Sequence, residues 1–520
     1  MLQTPQAVIE IGSTGIRLLV AELPSAEQNT HRVTVLDRSE FPINIGRDVF
    51  TFGSISTGTQ ASCVQIMNRY AEQLKAWGIS KDETFVIGTS AVREAVNRDP
   101  FVDRIKVRTG FTVRVIDGIE ENRLRYIAVT ECLKEVSSRF QNADTVILEI
   151  SGGSTEMMLL EKGRIAVAHS MRLGTIIIEQ QIYALAASLS DEQKAEDGRR
   201  FLKDYIRNAR SQLNSELNLN QVAQFIAVGH DMSIAALFCG TAISPFLWEI
   251  QRQDFLDFVD KIQQYSMDEV IGRFHLSYSD AQTFQLSLSA YKEFVKVTSV
   301  SSLVVPETSI REGLLISRSS KEDENLQKEF DAQIIAGATT LLRKYQGDEK
   351  HADFVREISL KIYDCLENEL GMTRHERLLL EISAILHDIG MFIRARDHNL
   401  HSHYIISQSE IFGLSREDIG IVAQIAGYHR GQKIPQDDSE FKLQPRAIRL
   451  TILKLTAILR LADAMDRSHR QKFPDCTVSL GKDTLTLQVN TVDNLRLEKI
   501  AINEKCEMFE NVFGYKVVLV

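Results

Sequence analysis

No two of the six cysteines, Cys63, Cys132, Cys239, Cys365, Cys476 and Cys506, stand in a C-x-x-C pair. Their scatter argues against both a disulfide framework and a structural zinc site. The sequence also lacks an uninterrupted apolar run of the ~18 residues that a membrane span requires. Its first residues, MLQTPQAVIEIG, have no basic stretch leading into an apolar one and do not read as a signal peptide. The expectation is a cytoplasmic protein without membrane contact. Net positive charge is missing too: the formal charge is −10. The surface as a whole does not invite nucleic acid, and any polyanion needs a local basic patch. What remains is ordinary for a globular protein, with 44% hydrophobic and 25% charged residues over a chain of 520. That length suggests roughly two to four domains.

The most telling feature is an internal repeat. Residues 7–22 read strand, tight loop, strand: AVIEI, GSTG, IRLLVAE. Some 139 residues later TVILEI, SGGST and EMMLLE repeat the layout, each copy with a glutamate before the loop. The spacing is too wide for a solenoid and points to two related α/β halves. Helical stretches around 61–77 and 119–136 alternate with strand-like TFVIGTS (84–90) and TVRVIDG (112–118), as α/β layering expects. The second half runs through AQFIAVGH (223–230) to about Ile316.

Loops of small residues after strands let backbone N–H groups approach phosphate oxygens, and Ser and Thr hydroxyls add donors. One such loop reads as easily as a glycine turn in a hairpin; two with the same acidic lead-in point to a phosphate clamp. Gly12, Ser13 and Thr14 supply the donors on one side, and Gly152, Gly153, Ser154 and Thr155 on the other. Glu10, Glu149 and Glu156 are placed to hold a hydrated Mg2+ or another divalent cation against the same phosphates. GTSAVREAVN (88–97) carries Arg93, whose guanidinium suits an oxyanion. IDGIEENRLRY (116–126) places Glu120 and Glu121 at a helix start, where a carboxylate can orient or deprotonate water. The same two glutamates also satisfy a helix N-terminus.

EIGSTG, GTSAVREAVN, GIEENRLRY, EISGGSTE, RLGT (172–175) and IREGLL (310–315) together resemble the exopolyphosphatase / guanosine pentaphosphate phosphohydrolase family of the actin-like phosphotransferases. The order agrees and the resemblance spans essentially the whole chain. It implies that Glu121, the second glutamate of G-x-E-E, is catalytic. It implies further that Gly12–Gly15 and Gly152–Thr155 are the phosphate loops and that Arg93 binds phosphate. It also suggests a homodimer. The chain departs from the family in opening both loops with glutamate instead of aspartate, in G-S-T-G where G-S-N-S is usual, in Ser151 where glycine is usual, and in VGHDMSIAAL (228–237).

After a polar stretch at 317–329 the sequence turns helical, and eight of the twelve histidines fall between 351 and 469. His351, the pair His387–Asp388 at a helix end, and Asp463 can converge on one divalent cation in a helical bundle. This ordered set resembles the HD phosphohydrolase superfamily, whose four ligand positions these residues match. His401, His403 and His429 are further candidate ligands or phosphate donors. Arg394, Arg396, Arg430, Lys433, Arg446, Arg449, Arg460, Arg467 and Arg470 make a candidate basic track, or a solvated face.

The expected architecture is α/β: two actin-like (ribonuclease H-like) halves at 1–125 and 126–316, an all-α HD-type domain at 317–475, and a small α+β cap at 476–520. The expected activity is metal-assisted removal of terminal phosphate from inorganic polyphosphate. The alternatives are hydrolysis of the pppGpp 5′-phosphate, a non-catalytic sensor of polyphosphate or guanosine polyphosphates, and a hydrolase acting at the HD site.

Overall fold

The computed structural model describes residues 5–23, 33–185, 200, 203, 204, 207, 219–319, 324–430, 438–473, 476–489 and 495–520. The chain divides into two compact units, Met1–Lys328 and Glu329–Val520. The polar stretch at 317–329 straddles that division, and its residues 320–323 lie outside the described residues.

In the first unit, β1 (Gln6–Ile11), β2 (Gly15–Glu22), β3 (Thr34–Pro42), β4 (Thr84–Gly88) and β5 (Val113–Val115) form one sheet, ordered β3-β2-β1-β4-β5. The first three are antiparallel neighbours, and β4 and β5 add in parallel. A second sheet is built from β6 (Thr145–Ile150), β7 (Thr155–Glu161), β8 (Arg164–Met171), β9 (Gln224–Val228), β10 (Thr241–Ser244), β11 (Leu247–Gln251) and β12 (Ser302–Pro306). Its order is β10-β11-β12-β9-β6-β7-β8. The run β8-β7-β6-β9-β12 repeats the order and the strand directions of the first sheet. The repeat read between Glu10 and Glu149 is therefore a repeat of sheet topology.

β1 and β6 are central and covered on both faces, which is why AVIEI and TVILEI read as nearly continuous apolar runs. Cys63, Met67 and Tyr70 of helix Thr57–Ala76 pack on the first sheet. Phe255, Phe284 and Tyr291 help to fill the core of the second. Two expected strands are shorter than their apolar text. The strand at 84–90 stops at Gly88, because Ser90 already opens the short helix Ser90–Glu94. The one at 112–118 shrinks to β5, because the Asp117 carboxylate accepts from the Glu120 N–H and starts helix Gly118–Cys132.

The second unit is helical, with helices Glu349–Leu370, Arg374–Leu386, His398–Ser407, Arg416–Tyr428 and Arg446–Met465. Their starts are written in the sequence. Asp348 caps the first of these, and Thr373 with Glu376 and Ser415 with Asp418 form capping boxes on the second and fourth. At the end of the chain, β13 (Thr477–Leu480), β14 (Thr484–Gln488) and β15 (Lys516–Leu519) make a small sheet. Helix Arg496–Phe513, which precedes β15, packs along Arg446–Met465. Among the described residues no helix is long and apolar enough to cross a membrane.

Candidate functional site

The two glycine loops meet. A Cβ built on Gly152 would lie 3.1 Å from Cβ of Ser13 and 3.3 Å from Cγ2 of Thr14. Neither Gly152 nor Gly153 has a positive φ. These glycines are required by close approach, not by a left-handed turn. Gly153 abuts Phe50 and Ser90, at 2.4 Å and 2.7 Å from a built Cβ. Ser90 in turn lies 3.3 Å, hydroxyl to hydroxyl, from Ser13, so one side chain touches both loops. Ser151, unusual for the family, closes its own loop: its hydroxyl accepts from the Ser154 N–H at 3.2 Å and donates to the Ser154 carbonyl at 2.9 Å. The second loop is braced from behind by the RLGT segment. The Thr175 N–H donates to the Ser151 carbonyl at 2.9 Å, and a Cβ on Gly174 would come 2.2 Å from the Gly152 carbonyl oxygen.

The strand-end carboxylates are not equivalent. Across the first hairpin Glu10 faces Arg17; across the second Glu149 faces Glu156. Glu10 sits between two guanidiniums, 3.8 Å from Arg17 and 3.4 Å from Arg311. The like-charged pair in the other half is relieved by Arg125, whose Nε donates to Glu149 and whose charge also acts on Glu156. Glu156 further accepts from Asn122 at 3.0 Å and from Ser170 at 2.7 Å. A third segment reaches this side: Gly229, at φ +120°, lies over Glu149, and a built Cβ would be 3.6 Å from Glu149 Cγ.

Glu120 and Glu121 take opposite roles. Glu120 pairs outward with Arg114 and Arg123 at 2.8 Å and 2.7 Å. Glu121 is buried and faces Arg93, whose Nη1 donates to it at 2.5 Å and to the Ile116 carbonyl at 2.7 Å. Burial and the Glu156 charge raise the Glu121 carboxyl to about 7, against the opposing pull of Arg93. Burial raises Glu156 as well. The phosphate role expected of Arg93 has to use its other N–H groups, since Nη1 is engaged.

The IREGLL segment holds this helix in place. A Cβ on Gly313 would fall 2.0 Å from the Leu124 carbonyl oxygen, so helix Ile310–Ser319 can cross Gly118–Cys132 only because residue 313 is glycine. That crossing brings Arg311 to Glu10.

Glu10, Glu149 and Glu156 each face guanidinium, amide or hydroxyl donors and do not assemble into one ligand set. Among the described residues, every group of three or more His, Cys, Asp and Glu side chains spaced for a metal lies in the second unit. A directly coordinated cation does not fit the three carboxylates as they stand.

In the second unit His351, His387, Asp388 and Asp463 do come together. His351 and His387 present their Nε2 atoms 3.2 Å apart, and Asp463 Oδ1 lies 3.5 Å and 3.7 Å from them. Asp388 Oδ2 lies 3.8 Å from His351 Nε2. Burial alone would raise the two aspartates, but Lys505, His351 and His387 around Asp463, and His387, His398 and His429 around Asp388, hold both well below the usual carboxylate range. Against the effect of burial, Asp463 and Asp466 raise His351 to about 9. Of the further histidines, His429 joins the cluster, whereas His401 and His403 belong to none of these groups. Of the basic track, Arg460 is instead buried, its Nη1 3.6 Å from Met508 Sδ, and Lys433 lies outside the described residues.

Sequence reasoning missed Ser90, Asn122, Arg125, Arg311, His398, Asp466 and Lys505. The signal for several was periodicity. Glu121, Asn122 and Arg125 fall within one helical turn on the buried face. His398, Ser402, Ile405 and Ile406 form the buried stripe of their helix, from which His401 and His403 are excluded.

Comparison with known proteins agrees with this architecture. Residues 25–322 match the Ppx/GppA phosphatase family, and residues 335–505 match Ppx/GppA phosphatase, domain III. The chain is 22% identical over 491 residues to a guanosine-5′-triphosphate,3′-diphosphate pyrophosphatase of Photobacterium profundum, covering 92% of this chain and 90% of that protein. A protein of the same name from Aeromonas hydrophila is 22% identical over 504 residues, covering 92% and 91%. Among solved structures, an exopolyphosphatase from Cytophaga hutchinsonii aligns with a TM-score of 0.52 at 19% identity, covering 60% of this chain and 96% of that one. The fold is the actin-like pair of sheets of these phosphatases, followed by a helical domain III.

Proposed function

From the premise that this chain belongs to the Ppx/GppA phosphatase family, we propose that its first unit hydrolyses the terminal phosphoanhydride of a phosphate chain bound between the two glycine loops. The observation that carries this reading is the meeting of those loops, Gly152 against Ser13 and Thr14, in the unit that buries Glu121 beside Arg93. The loops Gly12–Thr14 and Gly152–Thr155, with the hydroxyls of Ser13, Thr14 and Ser154, grip the terminal phosphoryl group, while the Thr155 hydroxyl donates to the Leu173 carbonyl and braces its loop. Ionised Glu121 takes a proton from a water aligned with the bridging P–O bond. The water oxygen bonds to phosphorus, the anhydride P–O bond breaks, and the shortened chain leaves with the electron pair. Arg93 and Arg125 oppose the rise of Glu121 and Glu156, and with Arg17 and Arg311 they balance the local charge where the transition state spreads negative charge. Mg2+ enters this reading as the counter-ion of the incoming phosphate chain.

The loops offer hydroxyl and backbone N–H groups suited to phosphate oxygens and no group suited to a base, which makes inorganic polyphosphate the substrate of first choice. The pppGpp 5′-phosphate is the second reading. It is favoured by the name of the two relatives that align along nine-tenths of the chain. Phosphate release from long-chain polyphosphate and from pppGpp, by wild type and by Glu121→Gln, tests both. Full activity of Glu121→Gln on either substrate removes the assignment. Tight binding of both substrates without release by wild type replaces it with a sensor.

A further inference from the structure

Each glycine loop is followed, two strands later, by a helix that begins against it. In the first half β3 leads to helix Ile45–Phe52, and in the second β8 leads to helix Thr175–Leu185, so the two are counterparts in the repeated topology. The Gly46 N–H donates to the Ser13 carbonyl at 2.8 Å, and the Ile176 N–H donates to the Gly152 carbonyl at 3.0 Å. Each loop is thereby tied to the first turn of its helix. The two helices also meet. A Cβ built on Gly46 would lie 2.8 Å from Ser13 Cβ and 2.9 Å from Ile176 Cδ1. Residue 46 is glycine because its own loop and the opposite helix both close on it.

Beyond that point the contact between the helices turns polar. Arg47 Nη2 donates to Glu179 Oε2 at 3.0 Å and to Gln282 Oε1 at 3.1 Å. The Gln180 side-chain amide donates to the Thr51 hydroxyl and, at 3.4 Å, to the Arg47 carbonyl. Where the chain itself crosses between the halves, the contact is of a different kind. It passes out through helix Gly118–Cys132 and returns through Ile310–Ser319. There Leu124, Ile310, Leu314 and Leu315 share an apolar core with Val8, Leu19 and Ile87 of the first sheet. The fit of Gly313 on Leu124 leaves that crossing no room to slide. An interlocked apolar crossing and a set of exchangeable polar bonds make a hinge and a latch.

We propose that Arg47, with Glu179 and Gln282 as its acceptors, is a positioning residue of the hydrolysis: it latches the two halves together and so sets the spacing of the two loops. The inference rests on the reading of those loops as the grip on a phosphate chain. Arg47 acts through the first turns of the two helices, not on the reacting atoms. With Gly152 against Ser13 and Thr14 the loops leave no passage at that point, so a phosphate chain reaches them as the halves part. Glu179 is buried and Arg47 exposed, which gives the latch its direction. A buried carboxylate left without its guanidinium is costly, and the open arrangement returns to the closed one.

The test is amide hydrogen exchange on the full-length chain, beside phosphate release from long-chain polyphosphate. Arg47→Glu is expected to speed exchange in segments 43–53 and 172–181 and to leave 118–132 and 310–318 as protected as in wild type. It is expected to lower kcat roughly tenfold, with a smaller change in KM. Glu179→Gln, which keeps the shape of the buried side chain, is expected to loosen the same two segments. The charge swap Arg47→Glu/Glu179→Arg is expected to restore both their protection and kcat. Wild-type exchange in the two single variants overturns the proposal. So does faster exchange that extends through the hinge helices, and so does a folded swap that restores neither property. Exchange is read without turnover, so the latch is judged even in a chain that releases no phosphate. Absence of release by wild type bears instead on the reading of the loops.

Discussion

Arg93 Nη1 approaches Glu121 Oε1 to 2.5 Å while the same nitrogen is held by the Ile116 carbonyl at 2.7 Å. This contact decides the protonation of the proposed base. Burial and Glu156 push the Glu121 carboxyl up to about 7, and Arg93 restrains the shift. A base must be ionised to accept a proton, so phosphate release should rise with pH through about 7 on the kcat/KM profile. Removing the guanidinium with Arg93→Met moves that acid limb to higher pH. A limb left in place by the substitution would separate Glu121 from the chemistry.

The same shift has a consequence for stability. The folded-state pKa of Glu121 is raised, so the fold favours the neutral carboxyl. Its contribution is complete below the ordinary carboxyl value of 4.5 and is lost as pH rises through about 7. Glu121→Gln mimics the neutral form. At pH 8 the variant should be at least as stable as wild type, by roughly 1–3 kcal/mol at most. Its hydrolysis should fall roughly 10²–10⁴-fold. Thermal melts beside phosphate-release assays check the pair of outcomes. A variant that loses stability and activity together marks Glu121 as a structural group.

Arg125 carries the opposite expectation. It is almost fully buried, with Glu149 and Glu156 facing one another across the hairpin beside it. Arg125→Met leaves like charges together without their cation, which for a buried pair costs roughly 3–5 kcal/mol. Adding Glu149→Gln should return much of that loss. Chemical denaturation of the single and double variants gives the coupling directly, and strict additivity would deny the pairing its importance.

How much of this was legible in the sequence depends on whether one helix or strand sufficed. The hairpin loops and the matched halves come from local text: apolar runs and small residues. The pair Glu120–Glu121 was found the same way, whereas the choice of Glu121 between them rests on the family resemblance. Ser90 and Arg311 were not, because their partners, Ser13 and Glu10, are contributed by distant segments that only the sheet order brings close. The surroundings of Glu10, Glu149 and Glu156 show the same limit. Spacing put the carboxylates at strand ends, but cross-strand register gave Glu10 an arginine and Glu149 another glutamate. His398 was within reach, since a buried stripe through Ser402 and Ile405 distinguishes it from the half-buried His401 and His403.

Gly313 gives the sharpest test of how the fold places the base. A methyl group there would lie 2.0 Å from the Leu124 carbonyl oxygen, which backbone cannot yield without moving the helix that carries Glu121. Gly313→Ala should therefore cost roughly 1–3 kcal/mol in stability as overpacking. It should also reduce hydrolysis in chains that remain folded, because Leu124 lies within one turn of Glu121. Gly272 is the control. It is also in a helix, Met267–Phe274, but nothing lies within 4 Å of its built Cβ. Gly272→Ala should stabilise the fold by roughly 0.5–1 kcal/mol through helix propensity, seen as a slightly higher melting temperature, and leave turnover unchanged. Melting temperatures and turnover measured on both variants decide the matter: equal behaviour would mean that the crossing at Gly313 does not set the position of Glu121.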